Sequence, residues 1–124
     1  MNMQQVNQTL AELHAQMGPL VIKQVEIEEM IISIKDRIVA ATNIGSENNY
    51  RKMLKEKVEE LAWLKDAMKD NRRREVEALR NKQALLEMEI TCDISLDHTE
   101  KEDRRLLMSE IGAKVNALQN RISA

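Results

Sequence analysis

The sequence predicts an all-α protein, on three observations. Turn formers are scarce: Pro19 is the only proline, and Gly18, Gly45 and Gly112 are the only glycines in 124 residues. An all-β chain needs a turn every ten residues or so, usually built from those residue types. Ala, Leu, Met, Glu, Lys, Arg and Gln dominate, and these are strong helix formers. The apolar residues recur at steps of three and four, the period of one helix face.

The first segment, about 2–17, sets Val6, Leu10, Leu13 and Met17 in a narrow stripe opposite Gln and Asn. Gly18-Pro19 predicts its end, because glycine suits a C-cap and proline opens a new helix more readily than it continues one. The second segment, 20–42, carries Ile27, Ile31, Ile34 and Ile38 on one stripe, with Val25, Ile32 and Val39 at sevens beside it. So wide an apolar face predicts the most buried element of the chain. A strand over 30–34 is the rival, since isoleucine is β-branched. The charges at Glu28, Glu29, Lys35, Asp36 and Arg37 fit the wet face of a helix better. In Asn43-Ile44-Gly45-Ser46, Gly45 can take a left-handed C-cap and Ser46 can cap the next helix.

From 47 to 90 no glycine or proline occurs. Leu54, Leu61, Leu64 and Met68 mark one heptad-like seam; Val76, Leu79, Gln83, Leu86 and Ile90 mark another, out of phase by one residue. One long helix with a stutter is preferred over a break inside 69–74, and it would run roughly 65 Å. Residues 91–99 read as a loop with Asp93, Ser95 and Asp97 as turn formers. Thr99-x-x-Glu102 has the form of a capping box. The last helix, 100–122, carries Met108, Ile111, Val115, Leu118 and Ile122 at a/d spacing, with Gly112 inside it. The expected architecture is therefore an elongated hairpin or bundle with coiled-coil-like seams, four helices or five, in a single domain over 1–124. No internal repeat is present beyond the generic heptad.

Charge and composition remove several functional classes. Nineteen basic against 21 acidic residues leave a net charge of −2, which gives poor long-range steering towards nucleic acid. Cys92 is the only cysteine, so no disulfide scaffold is available within the chain. No window is apolar enough to cross a membrane. Met1-Asn2-Met3-Gln4-Gln5 lacks the basic start and apolar core of a signal peptide. The expected compartment is the cytoplasm.

Catalysis needs reactive groups that converge. Cys92 and His98 lie six apart in a polar loop, where a capping cysteine and a solvated histidine are the simpler reading. The residues three before the histidines are Ala11 and Ser95, so no Glu-x-x-His pair for a di-iron bundle exists. No CxxC, HxxxH, GxGxxG or phosphate-cradling loop occurs. The expectation is a non-enzyme with no cofactor and no metal. Most of the eight methionines, Met53, Met68, Met88 and Met108 among them, read as core filler, and Trp63 as core rather than a contact residue.

Helix association remains. The sequence predicts a protein-interaction module, an oligomeric adaptor, assembly factor, inhibitor or similar accessory factor, that binds itself, dimer first, and an unidentified protein partner. Leu54, Leu61, Leu64, Met68, Val76, Leu79, Leu86, Ile111, Val115, Leu118 and Ile122 are the expected interface. The alternative is a nucleic-acid accessory protein whose oligomer aligns Arg72, Arg73 and Arg74 against phosphates. Asp70, Glu75 and Glu77 stand among those arginines, and the chain has only two aromatic residues for stacking on bases.

Overall fold

The computed structural model describes residues 1–123. They form three helices, α1 (Met3–Ala40), α2 (Ile44–Cys92) and α3 (His98–Ser123), with no strand among the described residues. Each helix starts on an Asn or Asp. Asn2 Oδ1 accepts from the Gln5 N–H at 2.9 Å while Gln5 Oε1 accepts from the Asn2 N–H at 2.9 Å, a reciprocal box. Asn43 Oδ1 accepts from Ser46 N–H and Asp97 Oδ1 from Glu100 N–H, each at 2.8 Å. The caps expected at Ser46 and Thr99 thus fall to residues upstream of both. Gly45 lies inside α2, and no described residue has a positive φ, so the left-handed C-cap is not used.

The count of three rather than four or five has one cause. Gly18-Pro19 does not end the first helix; Pro19 lies inside α1. An interior proline removes one backbone donor and costs about 3 kcal/mol. The turns on either side are anchored, Leu13 buried before it and Met17 and Leu20 packed against a core cluster around it, and that tertiary packing outweighs the local penalty. The 47–90 segment is one unbroken helix, as preferred.

The chain divides into two compact units. Unit 1 joins Met1–Ala15 to the residues from Lys69 onward; unit 2 is Gln16–Met68. Unit 1 brings together three helical segments around Val6, Leu10, Val76, Leu79, Leu86, Ile111, Val115 and Leu118. Neighbours run antiparallel within it: Met3 lies beside Leu86 and Glu89 while Leu13 lies beside Asn71, and Glu89, Gln83 and Glu75 of α2 meet Arg104, Met108 and Lys114 of α3 in descending order. Gln83 Nε2 donates to the Met108 carbonyl at 3.1 Å and passes over Gly112, where a Cβ would sit 3.3 Å from it. Unit 2 has two helical segments only. Its core is Ile27, Ile31, Leu64 and Met68, with Met17, Leu20, Leu54 and Leu61 packed against it. The one-residue phase slip between the two α2 seams spans the point, Met68 to Lys69, where the helix passes from unit 2 to unit 1.

Candidate interaction surface

The residues expected to face a partner are packed inside the chain. Leu64 and Met68 are buried in unit 2, with Leu54 and Leu61 against them. Val76, Leu79, Leu86, Ile111, Val115 and Leu118 are buried in unit 1, with Ile122 against them. With α1 continuous, α2 finds apolar partners within its own chain in both units, so the length of α2 does not by itself call for an oligomer.

The exposed apolar surface lies elsewhere. In unit 2, α1 buries Ile27, Ile31 and Ile34 but leaves Val21, Ile22, Val25, Ile32 and Val39 uncovered, from 43% exposed at Val21 to 88% at Val39. The helix expected to be the most buried is therefore buried on one side only. Two segments can cover one stripe of each other; the second stripe, about a third of a turn away, needs a third segment. On α2 the same unit exposes Met53, Val58 and Trp63, the last at 81%. Trp63 is not core: one residue from buried Leu64, it is rotated by about 100° from the packed face. Met68 is buried and Met108 packs against a core, but Met53 and Met88 are exposed, so methionine fills core at only some positions.

The arginine cluster is in unit 1. Arg72 is half-buried and Arg73 and Arg74 are exposed. Arg74 Nη2 pairs with Asp70 at 3.1 Å, while Arg73 and Glu77, also four apart, form no ion pair among the described residues. Arg73 and Arg80 border a cleft of about 490 Å³ with Val76, Gln119, Ile122 and Ser123. Glu75, one of the acids that stand among the arginines, is buried. Its Oε1 lies 2.5 Å from His14 Nε2 and 3.9 Å from Lys114 Nζ, so both other segments of the unit supply it a cationic or polar partner. Buried Asn71, one turn earlier, donates from Nδ2 to the Leu13 carbonyl at 3.1 Å. A buried carboxylate is tolerable only with such partners. No sequence motif marks this network, because its members are brought together by topology alone.

Cys92 is exposed, its Sγ 3.4 Å from the Thr91 hydroxyl, and no hydrogen bond joins it to His98 among the described residues. Across the turn between α2 and α3, Asp93 Oδ1 accepts from the Ser95 hydroxyl at 2.6 Å and the Ser95 N–H at 2.9 Å, which holds its carboxyl below the ordinary value. Glu89 accepts from Arg104 Nε at 2.7 Å and raises the guanidinium pKa. Among the described residues no three His, Cys, Asp or Glu side chains gather as metal ligands, and no helix is long and apolar enough to cross a membrane. Comparison of the chain with family models, with curated proteins and with solved structures finds no match.

Proposed function

We propose that this protein is a non-enzymatic, coiled-coil-like interaction module of the cytoplasm, an oligomeric adaptor, assembly factor or inhibitor that acts by binding a protein partner and itself. One observation supports this above the others: the uncovered apolar stripe Val21, Ile22, Val25, Ile32 and Val39 on α1 of unit 2. Large apolar side chains left exposed along one helix face are a mark of contact sites. The heptad spacing of 25, 32 and 39 is the spacing by which one helix receives another. Capture of partners from a cell lysate by the wild-type chain, compared with an Ile22→Ser/Val25→Ser variant of unchanged helicity, tests the reading. Loss of specific captured proteins in the variant is the expected result; identical captured sets, or none, would sink it.

A second reading rests on Arg73 and Arg80, which border one cleft and have no ion pair among the described residues. It makes the protein a nucleic-acid accessory factor. It ranks second because Asp70 engages Arg74 and the net charge is −2. A salt-titrated gel shift decides it: steep salt dependence that disappears when Arg72, Arg73 and Arg74 become alanine favours nucleic acid.

A further inference from the structure

We infer that the cleft between α2 and α3 in unit 1 takes an acidic peptide segment, with an aliphatic side chain on Val76 and Ile122 and a carboxylate on either side of it held by Arg73 and Arg80. This names a contact surface apart from the α1 stripe, and it rests on the interaction reading only in that its occupant is protein. The cleft, of about 490 Å³, has an apolar floor in buried Val76 and half-buried Ile122. Arg73, Val76 and Arg80 stand at steps of three and four on one stripe of α2, so the two arginines leave the helix about 10 Å apart along its axis. Two carboxylates match that spacing when they stand seven apart on a helix or three apart on an extended chain. Gln119 and Ser123 line the same cleft from α3 and can donate further hydrogen bonds.

The positive charge of this cleft is unopposed. Among the described residues its lining carries no carboxylate. Two clefts nearer the α2–α3 turn differ in this respect, one lined by Glu89 and Asp93, the other by Glu89 and Asp103. Of the two acids between Arg73 and Arg80 in sequence, Glu75 is buried and engaged by His14 and Lys114, and Glu77 does not line the cleft. A guanidinium fork receives a carboxylate through two parallel hydrogen bonds. Nucleic acid fits less well. No ring lines the cleft to stack a base, and the apolar floor gains nothing from a phosphate chain. A chain of net charge −2, with Asp70 and Glu77 on the same helix, repels a long polyanion more than it repels a pair of carboxylates.

The probe is a synthetic helical peptide in which Glu, Leu and Glu stand at the same steps of three and four. It is titrated into the isotope-labelled full chain and followed by NMR. The expected result is a set of shifts centred on Arg73, Val76, Arg80, Gln119 and Ile122, with binding that weakens as salt is raised. Arg73→Gln and Arg80→Gln should each weaken binding about threefold, and the two together about tenfold. Circular dichroism should not change, because both side chains are exposed. Arg73→Glu/Arg80→Glu should refuse this peptide and accept one with Lys in place of both Glu. Equal binding of a peptide with Gln in place of both Glu, shifts elsewhere on the chain, or no shift up to millimolar peptide would each overturn the inference. Tighter binding of single-stranded DNA at the same residues would also overturn it, in favour of the nucleic-acid reading. Should the peptide fail while Ile22→Ser/Val25→Ser still loses its captured proteins, this inference fails and the wider interaction reading stands; should both results be negative, both fail.

Discussion

Glu75 and His14, separated by 61 residues of sequence, meet at 2.5 Å, with the carboxylate buried and the imidazole side chain 52% exposed. The asymmetry decides what each substitution does. Removing His14 leaves a buried charge with Lys114 Nζ at 3.9 Å as its remaining ionic neighbour, whereas removing Glu75 leaves a histidine that water can reach. His14→Ala should therefore lower unfolding stability by about 1–3 kcal/mol. Glu75→Met should change it by less than about 1 kcal/mol, or raise it. Urea unfolding of the two variants and of the double variant gives the coupling.

Pro19 and Gly18 sit inside a helix they were expected to terminate, and both are exposed. A Cβ on Gly18 meets nothing within 4 Å. Gly18→Ala should stabilise by about 1 kcal/mol, and Pro19→Ala by as much or more, because it restores a backbone donor and leaves the packed turns in place. Thermal denaturation checks both; a fall in midpoint for either would mean that α1 is not continuous there.

Gly112→Ala is a closer balance. The gain in helix propensity is about 1 kcal/mol, and the new Cβ must displace the end of the Gln83 side chain by a few tenths of an ångström. That end is flexible, so a net stabilisation of about 0.5 kcal/mol is expected. If the Gln83 bond to Met108 is lost outright, the sign reverses, and Gln83→Ala in the same background separates the two effects.

Trp63 is the only tryptophan and is 81% exposed. Its fluorescence in the dilute chain should peak near the position of free indole in water and be quenched readily by acrylamide. Trp63→Ala should leave stability within about 0.5 kcal/mol, as surface substitutions do. A blue-shifted, protected tryptophan at low concentration would place it in a contact absent from this structure.

Ser95 holds the Asp93 carboxyl below its ordinary value of 3.8, first through its hydroxyl and then through its N–H. A carboxyl that binds protons less readily folded than unfolded adds stability above its ordinary value and loses it as acid titrates through the lowered one. Ser95→Ala removes the larger cause and keeps the N–H. The Asp93 titration followed by carbon NMR should move up towards 3.8 without reaching it.

The helical class and the continuity of α2 were legible because both rest on local signals: sparse turn residues and spacings of three and four. The change of phase between Met68 and Leu79 was legible too, and it falls where α2 changes unit. Three things were not. Packing of Leu13, Met17 and Leu20 overrode the break that Gly18-Pro19 signals. Seam spacing at Leu64 or Ile111 says that a helix will lie there, not whether it comes from the same chain. The depth of Glu75 depends on which residues α1 and α3 bring to it, and no window of sequence around Glu75 contains them. The stripe on α1 was visible as Val25, Ile32 and Val39, but read as core, because periodicity reports amphipathicity and not which side is already covered.

The interrupted make-up of unit 1 sets an order of events for the chain as it is synthesised. Unit 2 is contiguous, and its two segments can zip together as soon as both have emerged. Val6 and Leu10 are made first yet must wait for Val76 and Leu79, about seventy residues later, and for α3 after them. Closing a loop of that length directly is costlier in chain entropy than closing it after the intervening hairpin has formed. The first four turns of α1 therefore close after unit 2, and until then they are unprotected amphipathic helix that a nascent-chain chaperone or a protease can reach.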